Sequence, residues 1–343
     1  MRRDMTRKIA TIRSPSNIAF IKYWGAKDLK KAIPANPSIS MTLRACHSRS
    51  TVEHVDGDGA HEILWRGSGG GFEEAPPAFA ERVRQHLERL RDHLECGGHF
   101  RVATENSFPA AAGLASSASG FSALTLATLA AVGHDVSMAQ RSALARASGS
   151  GSASRSVMGG YVEWPATGAH QEEGAECHAY QLAPADHWDL ANVIAVVETE
   201  SKKISSLDGH RRARSSPYWR TRQRRLPARL QAVRQAIAER DFGLLGSVVE
   251  AEAIDLHCVA MTSHPAVFYW RPATLTVLEA VRDLRVEGVS AWSTMDAGAN
   301  VHVICQPKDA QRVADVLGGL EGVEQIIRDG VGAGPELEEE HLL

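Results

Sequence analysis

Four segments of this 343-residue chain set chemically capable residues at short spacing. Residues 106–120 (NSFPAAAGLASSASG) are nearly all small, and an Ala- and Leu-rich run follows at 121–132. Small residues let a backbone approach a ligand, and a helix starting there offers N–H groups to a phosphate. Ser116, Ser117 and Ser119 add hydroxyls, although no Gly-Lys-Ser/Thr of the Walker type is present. A small-residue helix packed tightly on a sheet explains the same letters. Residues 148–155 (SGSGSASR) surround Arg155 with hydroxyls. A guanidinium fork suits a carboxylate or phosphate held at two points; a flexible Ser/Gly loop is the plainer alternative. Asp296, in MDAGAN at 295–300, stands at a Gly-containing turn before an apolar run. It either bonds its own backbone or is offered to a site as a base. Lys22 interrupts the apolar run NIAFIKYWG at 17–25 and needs an anionic partner or an exit to water. Lys22 and Asp296 would make such a pair, but only a fold can bring them together.

Regular elements must carry these segments. Residues 50–55 and 61–65 read as the two strands of a hairpin, with Asp56, Gly57, Asp58 and Gly59 between them. Residues 66–72 read as a mobile loop. Phe79, Val83, Leu87, Leu90 and Leu94 fall at helical spacing, Gly97 and Gly98 end that helix, and 99–104 is a strand. The run 121–132 predicts a buried helix, and 192–198 a strand buried on both faces. Helices near 227–240, 244–258, 273–284 and 308–317 follow, with strands at 301–305 and 324–328. The length suggests two domains, placed at 1–187 and 188–333. The acidic tail 334–343 reads as disordered. Strands mixed with helices, without strict alternation, make the fold class α+β and two-lobed.

Composition narrows the function. Hydrophobic residues at 43% and charged residues at 23% exclude wholesale disorder. A net charge of −3 argues against a dedicated nucleic-acid binder. No run approaches the roughly 18 apolar residues of a membrane span, and the basic residues 1–8 lead into no apolar leader segment. Five scattered cysteines (Cys46, Cys96, Cys177, Cys258, Cys305) fit reduced thiols in the cytoplasm. Seven Arg crowd residues 211–225 around Tyr218 and Trp219. A solvated helix face explains them, and a nucleic-acid patch is the alternative from a different class. His93, Cys96 and His99 have metal-like spacing but no fourth ligand nearby.

Taken in order, the four segments resemble the ATP-dependent mevalonate diphosphate decarboxylases of the GHMP small-molecule kinase superfamily. NIAFIKYWG at 17–25 is similar to that family's opening motif, and PAAAGLASSA at 109–118 to its phosphate loop. SGSASR at 150–155, running into GGYVEW at 159–164, is similar to its substrate segment, and Asp296 sits where the family has its catalytic Asp. The resemblance implies a two-lobed GHMP-kinase fold with the active site in the cleft between the lobes. It implies transfer of the ATP γ-phosphate to a tertiary 3-hydroxyl, then loss of phosphate and CO₂ to give an alkene. Asp296 is implied to orient or deprotonate that hydroxyl, Lys22 to keep Asp296 ionised, and Arg155 to hold the substrate carboxylate. Tyr23, Ser150, Ser152, Ser206 and His210 are implied substrate contacts. Gly113, Leu114, Ala115, Ser116 and Ser117 are implied to hold the ATP phosphates, with Mg²⁺ on Ser117. A cytoplasmic homodimer is implied, with neither nucleic-acid nor membrane partners.

Two departures bear on the substrate. The family commonly reads KYWGK, whereas here Ala26 follows Gly25 and Lys27 comes one place later. Bacterial relatives read SSR where this chain has Ser205, Ser206 and Leu207. Both missing cations face the terminal diphosphate in those relatives, and losing two charge-assisted bonds costs roughly 3–6 kcal/mol. The segment SSLDGH at 205–210 also resembles the phosphomevalonate decarboxylases. The expectation is therefore decarboxylation of mevalonate 5-phosphate to isopentenyl phosphate. The alternative is the diphosphate enzyme, with Lys27, Arg211, Arg212 or Arg214 supplying the charge. A 3-kinase that stops before decarboxylation, and a degenerate homologue, are disfavoured because Lys22, Arg155 and Asp296 are all present. Ala299 stands where the family usually has Pro.

Overall fold

The computed structural model describes residues 8–67, 70–108, 116–166, 177–199 and 204–343. The first half runs β1 (Ile9–Ile21), β2 (Ala26–Asp28), β3 (Ile33–Pro34), β4 (Ser38–Val55), β5 (Glu62–Arg66) and β6 (Phe72–Glu74). It continues with α1 (Pro77–Leu94), β7 (His99–Asn106), α2 (Ser116–Ala131), α3 (Met138–Arg146), α4 (Ala153–Ser156), β8 (Tyr161–Trp164) and β9 (Tyr180–Ala183). The second half holds β10 (Ala191–Val196), α5 (Ser206–Arg212), α6 (Trp219–Glu239), α7 (Phe242–Met261) and α8 (Pro272–Val286). It ends with β11 (Ala291–Thr294), β12 (Val301–Cys305), α9 (Ala310–Gly318), β13 (Gln325–Gly330) and β14 (Glu336–Glu338).

The first sheet is ordered β14-β1-β4-β7-β5-β6, with β8 paired to β4 and β9 to β8. The long strands β1 and β4 run antiparallel from Ile9 opposite Glu53 to Ile21 opposite Ile39. Helix α2 lies against them and is buried nearly all round, so its apolar residues show no one-sided periodicity. Its few polar groups are answered by the sheet: Ser14 donates to Ser122 at 2.8 Å, and Ser48 bonds Ser119 at 2.7 Å.

The second sheet is antiparallel, ordered β11-β12-β10-β13. Helices α8 and α9 cover one face through Val277, Val281, Val313 and Leu317. Helices α6 and α7 share a core with both sheets, packing Leu226, Leu230 and Val249 against Phe20 and Met41 and against Ile194 and Ile304. The lobes are thereby joined by buried apolar surface. No helix among the described residues is long and apolar enough to cross a membrane.

Three expectations are corrected. Residues 50–55 and 61–65 are not hairpin partners: β7 lies between them, antiparallel to β4 and parallel to β5. A parallel pair needs a crossover connection, and α1 supplies it between β5 and β7. The tail 334–343 is ordered in part, because β14 adds to the edge of β1. Its acidic side chains meet cations there, with Glu336 on Arg13 and Glu338 on Arg49 at 2.5 and 2.6 Å. Helix α6 begins at Trp219, eight residues before the expected start, and carries Pro227 inside it. The Arg-rich turn is helical because Arg222 is buried against a carboxylate of α7, so its charge is not left in apolar surroundings. Within the expected loop 66–72, residues 68 and 69 lie outside the described residues, and Phe72 already belongs to β6.

Candidate active site

Lys22 follows the last residue of β1, where the strand leaves the sheet. Asp296 lies in the turn between β11 and β12, closed by Gly298 N–H donating to the Asp296 carbonyl at 2.8 Å. The Lys22 ammonium meets Asp296 Oδ1 at 2.8 Å. The Lys22 side chain is 2% exposed and the Asp296 side chain 28%, so the carboxylate is the part within reach of a ligand. Burial lowers the Lys22 pKa, opposed by Asp296 and Glu252. Burial pushes the Asp296 carboxyl up, but Lys22, with smaller help from His302 and Arg155, holds the group below its ordinary value. The carboxylate is therefore ionised at neutral pH.

Arg155, on the short helix α4, is buried beside this pair. It donates to Ser40 at 3.0 Å, Ser38 at 2.6 Å and Asn17 at 3.0 Å, all neutral oxygens. Burial lowers its pKa to about 10, so it stays charged. Those bonds engage three of its five donors. Asn17 is itself fixed by donating to Ser156 and to the Ser152 carbonyl. Ser150 donates to Ser117 at 3.2 Å, joining the Ser/Gly segment to the first turn of α2. Gly151 lies against Tyr23 and Trp164, where a Cβ would sit within 2.7 Å of ring carbons. Of the expected phosphate-loop residues, Ser116 and Ser117 open α2, while Gly113, Leu114 and Ala115 lie outside the described residues.

Tyr23 packs edge-on to Trp164 at 4.9 Å and against His210 at 4.2 Å between ring centres. His210, on α5, accepts the Gly25 N–H through Nδ1 at 2.9 Å. That bond places its proton on Nε2, and burial lowers its pKa to about 3, so the ring is neutral. Gly25 has a φ of +79°, and a Cβ there would overlap the Trp219 ring. The α5 N-cap is Ser205, which accepts the Asp208 N–H at 3.1 Å; Ser206 is the first helical residue. Leu207 is 42% exposed and Lys27 is exposed, while Arg211 pairs with Asp208 at 3.1 Å.

The structure thus gathers Lys22, Asp296, Arg155, Ser150, Ser117, Tyr23 and His210 where the two lobes meet. A cavity of about 810 Å³ lies elsewhere, between α2, α3, β9 and the C-terminal segment, and none of these residues lines it. Sequence reasoning missed Glu252, Arg222, Asn36 and His257. Glu252 left a legible signal: it sits at helical spacing among Leu245, Val249 and Leu256, a carboxylate on the apolar stripe of α7.

Residues 14–179 match the Diphosphomevalonate decarboxylase-like N-terminal domain, and residues 192–330 match the Mevalonate 5-diphosphate decarboxylase C-terminal domain. These matched halves and the mixed two-lobed fold define an ATP-dependent carboxy-lyase of the GHMP kinase superfamily. The chain is 33% identical over 336 residues to diphosphomevalonate decarboxylase mvd1 of Aspergillus fumigatus, covering 93% of this chain and 82% of that protein. It superposes with a TM-score of 0.89 on mevalonate diphosphate decarboxylase from Staphylococcus aureus, at 31% identity over 98% of this chain and 100% of that one. A structure of MDDEF in complex with MVAPP, AMPPCP and magnesium matches at 32% identity and a TM-score of 0.87, over 98% and 100% of the two chains. The chain belongs to the diphosphomevalonate decarboxylase family.

Proposed function

We propose that the chain decarboxylates mevalonate 5-diphosphate at the expense of ATP, with Asp296 meeting the reacting 3-hydroxyl. The observation that carries the reading is the Lys22–Asp296 pair, a carboxylate held ionised by a buried ammonium beside a buried guanidinium. Asp296 orients the 3-hydroxyl and takes its proton as the oxygen receives the γ-phosphoryl of ATP. The C3–O bond then breaks and phosphate leaves, while the C1–C2 bond breaks and its electron pair becomes the C2=C3 bond. Carbon dioxide departs with C1. Arg155 uses its two remaining donors for the C1 carboxylate, a two-point contact that fixes the plane in which that bond breaks. Ser150 and Ser152 line the substrate, Tyr23, Ser206 and His210 its 5-phosphorylated end, and residues 113–117 the nucleotide phosphates.

Among the described residues no group of three His, Cys, Asp or Glu side chains could hold a metal. The Ser117 hydroxyl, in the first turn of α2 and bonded by Ser150, is the protein group that would hold a magnesium ion carried by the nucleotide phosphates. When bound, the ion neutralises charge on the transferring phosphoryl. Five cysteines scattered along the chain fit a reducing compartment such as the cytoplasm. The homodimer implied by the family resemblance is tested by sedimentation.

The diphosphate is placed first because the relatives named above are diphosphate decarboxylases. The monophosphate, first by sequence alone, is the second reading, and a specific observation favours it. Ala26 and the exposed Leu207 supply no cation, His210 is neutral, and Arg211 is engaged by Asp208. Release of ADP and of labelled CO₂ from mevalonate, its 5-phosphate and its 5-diphosphate at equal concentrations separates the readings. CO₂ chiefly from the diphosphate supports the first reading. CO₂ chiefly from the monophosphate replaces it with the second, and ADP without CO₂ overturns both.

A further inference from the structure

We propose that Glu252 is a positioning residue for this reaction: together with Arg222 it grips the main chain of Lys22 and so aims the Lys22 ammonium at Asp296. The inference rests on the proposed roles of Lys22 and Asp296. Lys22 stands one residue past the end of β1, whose last pair with β4 is Ile21 opposite Ile39. Its N–H and C=O are thus buried without a sheet partner, and such groups must be paired elsewhere. Helices of the other lobe supply the pairing. Glu252 Oε1, on α7, accepts the Lys22 N–H at 3.3 Å. Arg222, on α6, donates to the Lys22 carbonyl at 2.8 Å, and Asn36 donates to the same oxygen at 2.9 Å. Arg222 also donates to Glu252 Oε1 at 2.5 Å, which closes the ring of contacts.

The grip is fully enclosed. Glu252 is 0% exposed, Arg222 1% and Asn36 2%. The second carboxylate oxygen of Glu252 accepts from Arg229 at 2.6 Å, and Arg229 reaches Asp255 at 2.9 Å. Stability alone does not call for such a pair, because well-packed apolar residues of similar volume serve as well or better. What apolar residues cannot do is bond both main-chain groups of Lys22. The charged and titratable groups around Lys22 are Asp296 in the β11–β12 turn, Glu252 and His257 on α7, Arg155 on α4, His302 on β12 and Arg222 on α6. Asp296 and Glu252 are the negative ones. Glu252 therefore also supports the charged form of the lysine whose backbone it holds.

Glu252→Gln keeps the size and the acceptor but removes the charge. It is expected to lower kcat about 10- to 100-fold at nearly unchanged KM for ATP, the scale of a sub-ångström misplacement near the reacting atoms. The alkaline limb of kcat against pH is expected to move down by about half a unit or more, because Lys22 loses a supporting charge. Glu252→Asp keeps the charge but shortens the reach, so kcat falls while the limb stays near its original position. Asn36→Ala, which leaves both charges in place, is the second test should Glu252→Gln fail to fold. It is expected to lower kcat about 3- to 10-fold. A merely structural role predicts a lower Tm with normal kcat per folded molecule and an unmoved limb, and that result overturns the proposal, as does normal kcat in Asn36→Ala. Lys22→Met and Asp296→Asn run alongside. Full activity in those two overturns the reading of the site itself, whereas their failure with a normal Glu252→Gln overturns only the role of Glu252.

Discussion

Lys22 and Asp296 are 274 positions apart in the chain and 2.8 Å apart in space. The first directly follows a strand of one lobe and the second sits in a turn of the other. Each alters the other's ionisation: Asp296 opposes the burial that would discharge Lys22, and Lys22 holds Asp296 charged against its own burial.

Asp296→Asn is expected to lower kcat by about 10²–10⁴, the usual worth of a positioned base, with ATP binding retained. Lys22→Met has a different signature. Without the ammonium, the burial that raises the Asp296 pKa is less opposed, so the acid limb of the remaining activity moves to higher pH. In the unaltered enzyme that limb lies below the ordinary carboxylate value, because the Asp296 pKa is lowered. A kcat–pH profile of both proteins checks the direction, and a limb that stays or moves down in Lys22→Met contradicts the coupling.

Substrate choice is open to manipulation at Ala26 and Leu207. Ala26→Lys and Leu207→Arg each add a cation at the positions where the resemblance places the diphosphate contacts. Each is expected to raise kcat/KM for the 5-diphosphate relative to the 5-phosphate by about tenfold, one charge-assisted hydrogen bond. An unchanged ratio in both variants would show that the terminal phosphate lies away from β2 and α5.

Much of the site was legible because its residues are oddities in their local context. Lys22 breaks an apolar run, Arg155 stands in a Ser/Gly stretch, and Asp296 precedes a buried strand. The holders of Lys22 were legible only in part: Glu252 stands out as a carboxylate on the apolar stripe of α7, whereas Arg222 reads as one more Arg of a charged helix until its face is known. Helix α1 was legible from periodicity. The hairpin was misread because strand pairing is non-local, and nothing in residues 50–65 says that β7 will lie between them. The tail was misread for a related reason. Its acidity resembles a solvated segment, and only the fold shows Arg13 on β1 and Arg49 on the neighbouring β4 waiting for it.

Pairing with the edge of β1 makes the tail a stability element. Removing residues 335–343 leaves β1 as an exposed edge strand, still paired with β4 on its other side, and strips Glu336 and Glu338 from Arg13 and Arg49. It also removes His341 from Thr11 and the Leu342 N–H from Thr51. The deletion is expected to lower Tm by roughly 1–3 °C, about 1–2 kcal/mol for a chain of this size. Turnover per folded molecule should stay close to normal, because the tail residues are not among those gathered at the site. Scanning calorimetry and an assay on one preparation check both halves, and an unchanged Tm would mean the strand adds nothing.

Acid stability is set in part by buried neutral histidines. His86, on α1, is fully buried and bonds Thr125 at 2.8 Å, and burial lowers its pKa to about 3. His257 falls to about 3 and His302 to about 4 for the same reason. Each is protonated more readily in the unfolded chain, where the imidazole pKa is about 6.5. Stability from these groups is therefore complete above about pH 6.5 and is lost as the pH falls toward the folded values, at up to roughly 1.4 kcal/mol per pH unit for each histidine. His86→Gln keeps a polar side chain facing Thr125 and removes one such proton. Its unfolding free energy should be lower than normal at pH 7, through lost packing, but should decline less steeply between pH 6 and 5, by about 1 kcal/mol per unit. Urea titrations at pH 7, 6 and 5 measure the two slopes, and parallel slopes would mean that His86 is charged in the native protein.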